Sequence, residues 1–239
     1  MPRFFIDGMP SDSVVITGED AQHIGRSLRM RPGERITVCR RGTDFECEIT
    51  EITSGSVVCK VLGKEPSPAE PSVEVTLYMA LPKSDKMELI VQKSVELGVS
   101  RIVPVLTSRC ISRPDAKSMA GKIMRWQKIA LSAAKQSGRG LIPEVGQMIG
   151  FSECLAEASR LDRAFFCYEK GGESFSLLWS PGVRTVGLII GPEGGFEPEE
   201  AASAESEGIS VTSLGKRILR CETAPLAALS AIMLLSGDL

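Results

Sequence analysis

Residues 188–200 read LIIGPEGGFEPEE. An apolar run stops at a glycine and a proline, and an acidic, helix-compatible stretch follows. Taken alone this is a strand, a tight turn and a helix start, and its glycines admit two readings. They allow a sharp turn, or they let backbone N–H and C=O groups approach a ligand with no Cβ in the way. The pattern is neither G-x-G-x-x-G nor a P-loop, so the usual dinucleotide and nucleoside triphosphate fingerprints fail.

The flanking sequence repeats the same grammar. VEVTLYMAL (73–81) predicts a strand, and KMELIVQKSVELG (86–98) a helix closed by a glycine. RIVPVLT (101–107), RAFFCY (163–168), TVGLII (185–190) and ISVTSL (209–214) are further strand candidates. Helices are expected over KIMRWQKIALSAAKQSG (122–138), from Pro198, and over 224–236. Strands that are nearly continuous in apolar residues and alternate with helices predict an α/β fold, its parallel sheet covered on both faces. Ahead of this lie RFFI (3–6), VVIT (13–16), RITVC (35–39), FECEIT (45–50) and SVVCKVL (56–62), punctuated by RPG, RGTD and TSGS. Such spacing predicts a small β-barrel or sandwich. One helix interrupts it, because Thr17 to Asp20 resembles a capping box ahead of AQHIGRSLR. GKEPSPAEPS (63–72) is the best linker candidate, which divides the chain into residues 1–70 and 71–239.

A chain of 239 residues with 43% hydrophobic and 24% charged residues has ample core for independent folding. The 7 cysteines are odd in number and scattered, with no C-x-x-C pair, which favours reduced, mostly buried thiols over disulfides or a metal site. The opening MPRFFIDGMPSDS has no long apolar stretch, and APLAALSAIMLLSG is too short to span a bilayer. A soluble cytoplasmic protein with no membrane segment and no metal is therefore expected. Net charge is only −2, but it is unevenly spread. Arginines 26, 29, 31, 35, 40 and 41 face a single acid, Glu34, and basic residues dominate again between Lys83 and Arg139. The balance is acidic after Gly140. Local asymmetry of this kind points to an anionic partner more than bulk charge does.

In open α/β sheets ligands bind beyond the carboxyl ends of the strands. Three of these ends are unusual here: CYEKGG (167–172), IIGPEGGF (189–196) and LGKRILRCETA (214–224). Converging at one sheet edge, they can enclose an adenine and its ribose through backbone contacts. In the third, Thr223 suits a helix cap and Pro225 the first helical turn. Neither explains Arg220, whose guanidinium is suited to an anion or a developing negative charge. His23, the only histidine, is read as a packing or partner-contact residue and not as a catalyst.

GPEGGF followed by LGKRILRCETA resembles the bacterial 16S rRNA uridine-N3 methyltransferases of the RsmE type, within the SPOUT superfamily. The resemblance extends to MALPKSDKMELIVQKSVELGV (79–99), AAKQSGRGLIPEV (133–145) and HIGRSLRM (23–30). It implies a PUA-like β-barrel followed by an α/β domain with a deep trefoil knot, a homodimer, and S-adenosylmethionine as methyl donor. By matching position, the cofactor residues would be Leu81, Tyr168, Glu169, Ile190, Gly191, Gly194, Gly195, Leu214, Gly215, Ile218, Leu219, Arg220, Thr223 and Ala224. Contact with 16S rRNA of the small ribosomal subunit would fall to Arg26, Arg29, Arg31, Lys83, Lys86 and Arg139.

Methylation of uracil N3 requires loss of the imide proton and alignment of nitrogen, methyl carbon and sulfur. Arg220 is the candidate for stabilising the charge left on the uracil carbonyls, since arginine stays protonated and cannot be the base. Glu222 is the nearest candidate proton acceptor, although its place at a helix start makes it less basic. The same loops fit an enzyme acting on a ribose 2′-oxygen or on tRNA, because they report the donor and not the acceptor atom. A non-catalytic ribosome-binding module would use the barrel and basic helices alone, and the two intact loops speak against it.

Overall fold

The computed structural model describes all 239 residues, and the chain separates into two compact units. One comprises Met1–Glu70 with Ala134–Leu141, the other Pro71–Ala133 with Ile142–Leu239.

In the first unit β1 (Arg3–Phe5), β2 (Ser13–Thr17), β3 (Arg35–Arg40), β4 (Thr43–Ile52) and β5 (Ser56–Pro66) form one sheet in the order β1-β3-β4-β5-β2. Only β1 and β3 run parallel. Phe4 and Ile16, from the two edge strands, share a buried cluster with Ile36, Phe45, Ile49 and Val57, so the sheet wraps around a single core. The expected helix is present as α1 (Gly18–Gln22) and continues as a π-turn over His23–Ser27, which drops Ala21 and Ile24 into that core. Its capping box is not formed: Thr17 makes no side-chain cap bond.

The linker reading of 63–72 needs correction. Gly63 to Pro66 continue β5 and pair with β4, Pro66 opposite Thr43. Ladder pairing asks only for backbone groups, so a polar, exposed sequence can be strand, and proline is tolerated at its last position. Glu70 is also fixed, accepting hydrogen bonds from Arg139 and from the N–H groups of Gly140 and Leu141.

The second unit alternates β6 (Glu74–Ala80), α2 (Lys86–Glu96), β7 (Arg101–Leu106), α3 (Ala116–Ser137, its last turn clustering with the first unit), β8 (Glu144–Val145), β9 (Ile149–Gly150), α4 (Phe151–Ala158), β10 (Arg163–Cys167), α5 (Phe175–Leu178), β11 (Thr185–Ile190), α6 (Pro198–Ser206), β12 (Ser210–Thr212) and α7 (Ala224–Ser236). The sheet order is β12-β10-β11-β6-β7-β8, β9 also pairs with β7, and every pairing is parallel, as the apolar strands predicted. One face packs Tyr78, Val103, Phe166 and Ile189 against α4 and α6 through Leu155, Ala201 and Ala204, and against Phe196 of the turn before α6. On the other, α7 packs on β11 and α2, and Phe165 meets Phe175 of α5 at 4.9 Å between ring centroids. All seven cysteines are free and buried. No helix is long and apolar enough to cross a membrane.

Candidate functional site

The carboxyl ends of β10, β11 and β12 open onto a cleft of about 510 Å³. Much of its wall is backbone, as the positions of Gly191, Gly194, Gly195 and Gly215 require. The turn after β11 is a real tight turn, in which Gly195 N–H donates to the Pro192 carbonyl at 3.0 Å. It is also a built wall. Gly195 has φ +66°, and a Cβ there would stand 2.4 Å from Glu169 Oε1, so the loop after β10 lies directly against it. The tight-turn reading of the glycines therefore holds, and the same residues line the cleft.

Three side chains fasten this turn. Arg109, just past β7, donates through Nη1 to the Gly194 carbonyl at 2.7 Å and through Nη2 to Glu197 at 2.7 Å. Glu193 accepts the Lys83 N–H at 3.1 Å and pairs with Lys86 Nζ at 3.0 Å. The EPEE stretch is the helix start it resembles: Glu197 caps α6, Glu200 completes a capping box and Pro198 stands in the first turn. It does more than that, because Glu197 holds Arg109 and Glu200 accepts the Ser108 N–H at 2.9 Å.

The segment between β12 and α7 forms the facing wall. Arg220 lines the cleft and is exposed, and its guanidinium has no ion pair or hydrogen bond. Its carbonyl accepts from the N–H groups of Thr223 and Ala224, at 2.9 Å each, which turns the chain into α7. Thr223 makes no side-chain cap bond. Glu222 pairs with Lys86 Nζ at 3.2 Å and accepts from Cys221 Sγ at 3.2 Å. Its own backbone N–H, then Cys221 and Lys86, hold its carboxyl below the usual range. Burial works to raise the Glu193 carboxyl, but its own N–H, Lys86 and the Lys83 N–H outweigh it and leave it lowered. The Lys86 ammonium is pushed up in turn by Glu193 first and Glu222 second, so it stays charged. Burial pushes the Cys221 thiol up to about 12, which makes it inert as a nucleophile.

Of the fourteen residues expected around a cofactor, Tyr168, Glu169, Ile190, Gly191, Gly194, Gly195, Leu214, Gly215, Ile218, Leu219, Arg220 and Ala224 line this cleft. Leu81 and Thr223 do not; Leu81 is buried beside β7, where its N–H bonds the Val105 carbonyl. Sequence reasoning missed Glu193 and Arg109, and it placed Lys86 on the RNA side. Lys86 instead lines the cleft between two carboxylates. Arg139 is a second correction. It is 3% exposed, with its guanidinium on Glu70 at 2.8 Å and its carbonyl accepting from Arg3, so it is a structural ion pair and presents no charge to a partner. Arg26, Arg29 and Arg31 are exposed with no side-chain partner, and Lys83 is exposed. His23 meets the Phe4 ring edge-on at 6.4 Å between centroids.

A parallel α/β unit whose strand ends open on a cleft is a ligand-binding architecture, and comparison with known proteins narrows this to RNA methyltransferases. The RNA methyltransferase domain family matches residues 69–233, and the RNA methyltransferase PUA domain family matches residues 16–62. The chain is 38% identical over 256 residues to ribosomal RNA small subunit methyltransferase E of Bacillus subtilis, covering 100% of both. Among solved structures it is similar to ribosomal RNA small subunit methyltransferase E from Neisseria gonorrhoeae bound to S-adenosyl methionine, with a TM-score of 0.89, 33% identity and 98% of each chain covered. A putative methyltransferase from Legionella pneumophila with bound cofactor SAM matches with a TM-score of 0.86 and 32% identity over 97% of this chain and 96% of that one. The chain belongs to the family of ribosomal RNA small subunit methyltransferases E.

Proposed function

We propose that the protein binds S-adenosylmethionine in the cleft and transfers its methyl group to N3 of a uridine in 16S rRNA of the small ribosomal subunit. The backbone-lined cleft, on a chain of this family, carries the reading. A Cβ at Gly194 would make only an ordinary contact with Arg109, at 3.4 Å, whereas the φ of +66° at Gly195 is one that side chains rarely adopt, so this cradle presents bare backbone there. Its volume of about 510 Å³ suits a nucleoside-sized ligand. The sulfonium supplies an electrophilic methyl group, which leaves the protein to align the reactants and stabilise charge.

In the reaction the N3–H proton is lost, the nitrogen lone pair forms the new N–CH₃ bond, and the S–CH₃ bond breaks to leave a thioether. The unpaired Arg220 guanidinium stabilises the negative charge spread over the uracil carbonyls. Glu222 is a poor base, held ionised by its own N–H and by Lys86. In this account it positions Lys86 while the imide proton leaves to water. The target uridine is unpaired or flipped out, because N3 is otherwise engaged in base pairing.

The first unit serves as a PUA-like RNA-binding domain through Arg26, Arg29 and Arg31, with Lys83 adding a contact from the second. The second unit is the SPOUT domain, with a deep trefoil knot as the resemblance implies. The working form is a cytoplasmic homodimer. Titration calorimetry with S-adenosylmethionine tests the cofactor assignment: saturable binding that disappears on filling the cradle supports it, and no heat of binding to the folded wild type overturns it.

A further inference from the structure

Lys86 opens α2, where the helix dipole disfavours a cation. Its ammonium nevertheless sits between Glu193 at 3.0 Å and Glu222 at 3.2 Å, with Cys221 Sγ at 3.6 Å. Glu193 belongs to the turn after β11, and Glu222 to the segment that brings Arg220 to the cleft. The two walls have no other ion pair between them. All three side chains are between about a fifth and a third exposed, at 32%, 26% and 21%, so the pairs are only partly screened by water.

Resting on the reading of the cleft as a donor site, we propose that Lys86 is a positioning residue: a single-ammonium staple that sets the spacing of the two cleft walls and, through Glu222, the place of Arg220. Charge explains why one lysine suffices. Glu193 and Glu222 lie within reach of the same Nζ, and without it two like charges would face each other and push the walls apart. The staple is anchored at the other end by the Lys83 N–H, which holds the Glu193 carboxylate independently at 3.1 Å. The first turn of α2 and its lead-in thus fix the turn after β11 and lend the remaining charge to the segment before α7. A lysine that reads as an RNA contact in the sequence is spent on the cofactor site.

The test uses the full chain, with Lys86→Met, Lys86→Arg and Lys86→Met/Glu193→Gln. Hydrogen exchange without any ligand reads the staple directly. Lys86→Met is expected to speed amide exchange in residues 191–195 and 213–223 while the rest of the unit is unchanged. Its dissociation constant for S-adenosylmethionine should rise about twofold to fivefold, which is the upper part of the range for partly exposed pairs. RNA affinity and its salt dependence stay as in wild type, Lys86→Arg recovers most of the cofactor affinity, and adding Glu193→Gln to Lys86→Met removes the repulsion and recovers part of the affinity lost. Unchanged exchange in both segments, or lost RNA affinity with a salt slope reduced by about one and cofactor binding intact, would overturn the proposal. Failure of the wild type to bind S-adenosylmethionine would instead strike the functional reading, leaving the exchange result to judge the staple.

Discussion

Gly195 lies so close to Glu169 that a β-carbon on it would overlap the carboxylate, and its φ of +66° is a conformation that side chains rarely adopt. The exposed Glu169 carboxylate can swing aside, so the backbone conformation is the lasting obstacle. Gly195→Ala is expected to leave the sheet folded and to weaken S-adenosylmethionine binding by at least about fivefold, since backbone strain of this kind costs about 1–3 kcal/mol. Calorimetry on the variant checks this, and wild-type affinity would contradict it.

Arg220 faces the cleft with no partner, which is how a group reserved for transient charge should stand. Arg220→Ala is expected to lower kcat by roughly 10²–10³-fold, the range for removing one charge-stabilising donor. Its dissociation constant for S-adenosylmethionine should stay within about twofold. Single-turnover methylation of RNA fragments separates the two quantities.

Arg139 and Glu70 are a buried pair, at 4% and 18% side-chain exposure. Removing one partner of a fully buried pair costs about 3–5 kcal/mol, and the loss here is smaller because Glu70 keeps the N–H groups of Gly140 and Leu141. Arg139→Ala should therefore shift the urea midpoint of the first unit markedly while the folded fraction binds RNA normally. A wild-type midpoint with weakened RNA binding would reverse this assignment.

Arg26, Arg29 and Arg31 have no competing side-chain partners, so their charges are available to phosphates. Replacing all three by alanine should reduce the slope of log K against log salt by about 2 to 3, depending on whether single or double strands are met. Filter binding over a salt series gives that slope directly. No change in slope would remove the patch from the interface.

Asp162 accepts the N–H groups of Arg184 and Thr185 at 3.0 and 2.9 Å, and these bonds hold its carboxyl below the usual range. A group lowered on folding contributes stability above its unfolded value, near about pH 4 for aspartate. That contribution is lost as pH falls through the lower folded value. Thermal melts of Asp162→Asn should accordingly fall below wild type at neutral pH and converge with it in strong acid. Divergence that grows toward acid would contradict the sign.

Much of the second unit is legible in the sequence because each of its longer strands is a nearly continuous apolar run bounded by turn residues. β8 and β9 are two residues each, too short to show any period, and α4 is only eight residues long. The converging loops are legible as glycine and charge at three strand ends. What fastens them is not: Lys86, Arg109, Glu193, Glu197 and Glu222 come from four separate loops or helix starts, and only the sheet order β10-β11-β6-β7 brings them together. Arg139 misleads for a related reason. A basic residue after a helix reads as surface, and the carboxylate that buries it, Glu70, lies in a stretch that reads as linker.

The central claim is the acceptor atom. Small ribosomal subunits lacking the modification, incubated with the purified protein and methyl-labelled S-adenosylmethionine and then digested to nucleosides, resolve it by mass spectrometry. The account predicts label in 3-methyluridine from 16S rRNA, greatly reduced with Arg220→Ala. Label in a 2′-O-methylated or any other nucleoside, or no label at all, would contradict it.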